Sequence, residues 1–170
     1  MPEMLRTLQG TSLVAATVVT GLSAGLYYGF ACAVMPGLRA ADDRVFVETM
    51  RRVNVAILNG WFMALFLGSL VLILVTGGLH LADGGTRGIV PWIGAAAALY
   101  VVVLVVTFRG NIPLNDALEA AGTPVDAESL AAVRERFEDA WVRWNTVRAV
   151  ANTAALGSLA WALVRYGNVS

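Results

Sequence analysis

Residues 90–108 read VPWIGAAAALYVVVLVVTF, nineteen positions without a charge. At about 1.5 Å per residue, a helix of that length spans roughly 28 Å, close to the hydrocarbon thickness of a bilayer. An apolar run this long decides the class of the protein. Three further runs have the same character, at roughly 12–35, 55–80 and 141–165. Apolar residues make up 58% of the 170-residue chain and charged residues 14%, and mean hydropathy is +0.68. That is the balance of a membrane protein. The expected fold is all-α: one four-helix transmembrane bundle over residues 1–170, with a long, partly helical loop between helices 3 and 4.

The connections differ in character. Residues 36–54, PGLRAADDRVFVETMRRVN, are charged and amphipathic and read as an interfacial helix after Pro36. LADGGTRGIVP, residues 81–91, is a tight glycine-rich hairpin link. Residues 109–140 hold most of the acidic groups and form the long loop. The apolar run near the N-terminus extends to Met35 with no small-residue cleavage signal at a shorter core, so it reads as a retained helix.

All twelve basic residues are arginine, which fits a bacterial coding bias. Loops one and three carry Arg39, Arg44, Arg51, Arg52, Arg109, Arg134, Arg136 and Arg143, against Arg6, Arg87 and Arg165 elsewhere. The positive-inside rule then places those two loops in the cytoplasm and both termini outside, in a bacterial inner membrane. Net charge is zero and no basic run exceeds Arg51-Arg52, which argues against nucleic acid as a partner. The lone Cys32 reads as a small packing residue. No set of histidines, cysteines and carboxylates has metal-ligand spacing, and no phosphate loop, dinucleotide fingerprint or nucleophile elbow occurs, so neither metal nor cofactor is expected. Gly21, Gly25 and Gly29 form a small-residue stripe for close helix packing, with a homodimer seam or room for a flat ligand as further uses.

Polar side chains inside a span are costly and usually face an interior or a cavity. At 100° per residue, Trp141, Asn145, Arg148 and Asn152 share one face of the fourth span, with Trp144 at its border. Alternating helix directions bring that face to the same end as Tyr27, Tyr28, Asn54, Asn59, Trp61, Arg109, Asn111 and Asn115. The other end offers only His80, Asp83, Arg87 and Trp92. Arg148 lies too deep to snorkel easily. It needs either a ligand or an ion-pair partner such as Asp116, Glu138 or Asp139. Trp141 and Trp144 also suit an interfacial belt, and the asparagines suit helix caps.

NIPLN at Asn111–Asn115, followed by WVRWNTVR at Trp141–Arg148, is a pattern similar to that of the anthrone oxygenase family, small four-helix membrane proteins of bacteria and fungi. The likeness extends to the glycine-rich first span ending at Pro36 and to NVAILNGWFM at the entry to the second. The resemblance implies a cofactor-independent monooxygenase, an oxidoreductase of polyketide-type aromatics that converts an anthrone, or a similar polycyclic or quinol-like molecule, to a quinone with O2. Its implied catalytic group is Arg148, Asn145, Trp144, Asn111 and Asn115. Arg148 and Asn145 would hold an oxyanion, and Trp144 and Trp141 would stack on the rings. Substrate contacts would come from Trp141, Tyr27, Tyr28, Asn54, Asn59, Trp61 and Asn152. The general base stays open between a water held by Asn111 and Asn115 and a carboxylate, Asp116 or Glu138. The alternative is a non-catalytic membrane protein, binding a lipid or quinone or serving as an accessory subunit, in which the same stripe is a structural network. A channel or transporter is disfavoured, since no inverted repeat and no polar row across the bilayer is visible.

Overall fold

The computed structural model describes residues 2–168, among which there is no strand. Helix α1, Pro2–Gly29, passes through a π-helical turn, Phe30–Val34, directly into α2, Met35–Arg39. Helix α3, Asp43–Ala56, precedes α4, Gly60–Leu81. A 3₁₀ segment, Gly84–Ile89, leads into α5, Val90–Val106, which continues through a second π turn, Thr107–Asn111, into α6, Ile112–Ala121. Helix α7, Ala127–Gly167, completes the chain.

Four helical stretches are long and apolar enough to cross a membrane, and the protein is multi-pass: Glu3–Arg39, Gly60–Leu81, Gly84–Ala121 and Ala127–Gly167. Helix α7 packs against α1 and α5, and α4 packs against the same two from the opposite corner. The centre is filled by Leu13, Ala16, Ile73, Ile93, Ala96, Tyr100, Ala155, Leu159 and Ala162, all nearly inaccessible. At one end this plug is closed by a polar cluster. There Gln9 donates to the Leu79 carbonyl at 3.0 Å, His80 Nδ1 lies 3.1 Å from Thr86 Oγ1, and Tyr166 donates to the Arg6 carbonyl at 2.8 Å. The plug separates these groups from the polar face near Arg148.

The connection between the third and fourth spans is helical except at residues 122–126. DALEAA and AESLAAVRER are rich in helix formers. The turn between them is set by Gly122, at φ 65°, and by Asp126, which caps α7 by accepting from Ser129 N at 2.7 Å. The result is a helical hairpin that extends the third and fourth long helices. Against it α3 lays Phe46, Val47 and Met50, which join Met35, Leu118, Leu130, Phe137 and Trp141 in a second core at this end of the bundle. Around this core Arg39 and Arg134 both pair with Glu138, at 2.8 and 2.7 Å, and Arg134 also reaches Asp43 at 2.9 Å.

Three of the four stretches run 37, 38 and 41 residues, whereas that of α4 has only 22. Helix α4 starts at Gly60, because Asn59 turns the chain and caps it, accepting from Phe62 N at 3.0 Å. Where α4 is missing, a gap opens between the longer rods. Only the α3–α4 link spans it.

Both π turns sit at this end, and each is followed two residues on by a proline, Pro36 or Pro113. A proline inside a continuous helix has no N–H for the carbonyl four residues back, and its ring clashes with that carbonyl. Widening the preceding turn relieves both conflicts and keeps the helix continuous.

Candidate functional site

The gap beneath the α3–α4 link is a cavity of about 450 Å³. Its walls are predominantly apolar: Leu26 and Phe30 from the first rod, Phe62, Met63, Phe66 and Leu67 from α4, and Phe108 from the second π turn. Phe62 stacks on Phe66 at 5.4 Å, and Phe66 meets Phe108 at 6.1 Å, so the aromatic wall is continuous. Polar groups enter at two levels. Arg148, Asn145, Asn111, Thr107 and Tyr27 lie on the inner side, and Asn54, Asn115, Asp116 and Glu119 at the rim.

Arg148 is only 6% exposed. Its guanidinium sits 4.5 Å from the centre of the Tyr27 ring and 5.5 Å from that of Trp141, and Nη2 donates to Asn145 Oδ1 at 3.0 Å. Asn145 is fixed in turn by donating to the Tyr27 carbonyl at 3.0 Å. Among the described residues no carboxylate pairs with Arg148, and its Nε has no hydrogen-bond acceptor. Of the partners open to it from the sequence, Glu138 is taken by Arg39 and Arg134, and Asp139 by Arg39 at 2.7 Å. Asp116 lines the cavity as an exposed rim residue without an ion pair. Glu119 is bound to Arg51 at 2.8 Å across the α3–α6 contact. A buried cation facing two rings and an apolar space, with no carboxylate against it, is arranged to receive negative charge.

The remaining amides frame the same space. Asn111 donates to the Trp141 carbonyl at 3.3 Å and leaves its Oδ1 free, while Trp141 Nε1 donates to Asn115 Oδ1 at 2.9 Å. These two bonds lock the NIPLN segment to WVRWNTVR across 30 and 26 residues of chain. Asn54 presents an unpartnered Nδ2.

Of the residues singled out from the sequence, the cavity brings together Arg148, Asn145, Asn111, Asn115, Trp141, Tyr27 and Asn54. Five do not line it. Trp144 packs on Gly110 from outside and is 42% exposed. Tyr28 and Trp61 are 62% and 86% exposed and face the surroundings. Asn59 is used as the α4 cap, and Asn152 lies deeper, donating to Ser23 Oγ at 2.8 Å. Cys32 is exposed rather than packed. Gly25 and Gly29 meet no neighbour where a β-carbon would stand, so the stripe is not a tight seam within one chain. The aromatic wall of Phe30, Phe62, Phe66 and Phe108 escaped the sequence reading, because phenylalanine in an apolar run gives no sign of facing a cavity. The repeated proline two residues past each π turn was the readable signal. No group of three histidines, cysteines or carboxylates able to hold a metal ion occurs among the described residues.

In comparisons with known proteins, residues 61–158, more than half of the chain, match the family described as anthrone oxygenase. The matched region contains Asn111, Asn115, Trp141, Asn145 and Arg148. No curated protein and no solved structure matches the chain.

Proposed function

The chain belongs to the anthrone oxygenase family, and from that premise we propose that it is a cofactor-independent oxygenase of a flat, apolar aromatic whose carbon acid is activated by Arg148. The observation that carries this reading is the buried guanidinium without a carboxylate, facing an aromatic-walled cavity. The cavity volume lies within the roughly 300–1,000 Å³ usual for small-molecule sites. A purely structural network would close such a cation with an acidic partner.

An anthrone carries a CH₂ opposite its carbonyl. Removing one proton gives an enolate, and a fixed cation at its oxygen in a low-dielectric site lowers the cost of that step. Arg148 supplies the cation, and Asn145 keeps it in place. The enolate is electron-rich enough to reduce O2 directly. Carbon gains one oxygen as a peroxide, the O–O bond then breaks as the second hydrogen of that carbon leaves, and the products are a quinone carbonyl and water. Both atoms and all four electrons of O2 are thereby accounted for. The carboxylate best disposed as general base is Asp116, at the rim and free of an ion pair. Glu138 is excluded from that role by its two arginines. The arginine bias supports a cytoplasmic cavity end, as would suit a bacterial inner membrane.

The test is oxygen uptake by detergent-purified, metal-stripped protein given dithranol or emodinanthrone. The wild type should consume one O2 per quinone formed, and Arg148→Ala should abolish this while the protein still elutes as a folded species. Unchanged turnover in that variant sinks the assignment. Binding of the aromatic without turnover favours the alternative, a non-catalytic binder of a quinone or lipid.

A further inference from the structure

The rim of the cavity has two unlike sides. Toward α3 and α6 it is mixed, with Asn54, Asp116 and Glu119 beside the exposed Val55 and Leu58, and it is bridged where Arg51 grips Glu119 at 2.8 Å and Thr123 Oγ1 at 2.8 Å. Toward the bundle flank it is made of Met63 and Leu67 of α4 and Phe108 of the second π turn. These line the cavity and are also 40%, 45% and 58% exposed. Side chains that wall the cavity and also face the surroundings leave this flank one side chain thick.

The depth of this flank follows from α4. Its 22 residues span about 33 Å, close to the bilayer core, and Trp61 at its start, 86% exposed, suits the headgroup boundary. Met63 and Leu67 lie about 3 and 9 Å further in. The flank between α4 and the π turn after α5 therefore faces acyl chains.

We infer that the cavity opens sideways into the bilayer between α4 and the second π turn, and that Met63, Leu67 and Phe108 form a lateral entrance admitting an uncharged, flat, membrane-dissolved molecule. This deepens the proposed function and rests on it for the ligand's identity alone. Two independent observations support an occupant that arrives through the flank. The lining at this flank is wholly apolar, so an uncharged molecule crosses no polar group there. Inside, the buried Arg148 lines the cavity with two aromatic rings and Asn145 beside it and no carboxylate against it, a charge that lipid hydrocarbon cannot meet. A ligand neutral in the membrane and acidic once inside satisfies both.

The protein reconstituted in phosphatidylcholine vesicles provides the test. A small apolar aryl diazirine dissolved in the bilayer is photolysed, and the labelled residues are mapped by mass spectrometry. The expected result is labelling of Tyr27 and Trp141, buried from the outside but lining the cavity. Labelling should fall several-fold in Leu67→Trp, which fills the entrance, and stay unchanged in Glu119→Gln, which loosens the α3–α6 side. Leu67→Trp replaces a half-exposed, lipid-facing side chain and leaves both cores intact. Its KM for dithranol should rise with kcat preserved. The lateral entrance is overturned if the cavity residues stay unlabelled in the wild type, or if Glu119→Gln raises their labelling and Leu67→Trp leaves it unaltered. Labelling without dithranol turnover would refute the oxygenase and keep the entrance. Turnover without labelling would do the reverse.

Discussion

Gly110 lies against the indole of Trp144 so closely that a β-carbon at Gly110 would stand 2.7 Å from both Cγ and Cδ2 of the ring. Those atoms are at the rigid base of the side chain, so the ring cannot yield by a small torsion. Gly110→Ala should therefore destabilise the protein by about 1–3 kcal/mol, the usual range for overpacking. Because Gly110 belongs to the π turn that presents Thr107, Phe108 and Asn111, turnover should fall as well. Trp144→Ala should relieve most of the Gly110→Ala penalty, a coupling readable in a double-mutant cycle of detergent unfolding midpoints. Additive effects would show that the indole does not hold the turn.

Arg148→Met separates function from structure. Methionine approximates the length of the side chain and removes a buried charge that has no carboxylate partner. Replacing a buried charge with an apolar group of similar volume is often neutral or stabilising. The unfolding midpoint of Arg148→Met should stay level or rise while turnover of dithranol drops by roughly 10²–10³, the loss typical of one oxyanion donor. A midpoint that fell in step with activity would mark Arg148 as a structural residue.

Asp116 and Glu138 should behave as opposites. Asp116 is an exposed rim residue without an ion pair, so Asp116→Asn should lower kcat and leave the melting profile unchanged. Glu138 accepts from Arg39 and Arg134 and ties α2 to α7. Glu138→Gln should lower stability on the order of 2 kcal/mol, as expected when charge-assisted hydrogen bonds are weakened, with turnover per folded molecule retained. Exchange of these two outcomes would move the general base to Glu138.

The class of the fold was legible in residues 90–108 alone, since a charge-free run of bilayer length has few other uses. The clustering of Arg148 and Asn145 with Asn111 was legible too, because helix periodicity and alternating directions determine which faces meet. Trp144 shows where this stops. It borders the same arc, yet a few tens of degrees turn it onto Gly110 instead of the cavity, and periodicity does not resolve that difference. Asn59 stands at the same polar end of the sequence pattern, but an asparagine before an apolar run is first of all a cap. The cavity itself arises from the short α4 and two π turns, both properties of helix packing that hydropathy does not carry.

Acid stability should depend on two caps outside the spans. Asp126 accepts the Ser129 N–H, and that bond, aided by the serine hydroxyl, holds its carboxyl below the ordinary value of 3.8. Asp83 is held low first by the Gly85 N–H and then by Gln9. A carboxyl whose pKa is depressed on folding contributes fully above its unfolded pKa, and that contribution is lost as pH falls through the lower folded value. The part of the unfolding midpoint owed to these caps should be constant from neutral pH down to about pH 5 and decline below about pH 4. Asp126→Asn, which keeps a capping oxygen, should flatten that decline with little loss at pH 7. An unaltered acid limb would show that the cap at α7 does not contribute to it.

Pro113 offers the sharpest separation of stability from site geometry. It lacks the N–H that Arg109 O would receive in a regular helix, and the π turn over Thr107–Asn111 accommodates it. Alanine at 113 restores a donor and a good helix former at a position already in helical conformation, so Pro113→Ala should stabilise α5–α6 and favour a regular ladder. Closing the turn by one residue rotates everything beyond it by about 100° about the helix axis relative to the preceding span. Asn111 and Asn115 can then no longer both keep their bonds to Trp141, at 3.3 and 2.9 Å, without unwinding elsewhere. The expected variant is one with an equal or higher unfolding midpoint and a turnover reduced at least tenfold, the stability–activity trade-off common at functional sites. If activity survives with the midpoint raised, the π turn is only the helix's accommodation of proline. If both fall, the turn belongs to the packing of α6 on α7.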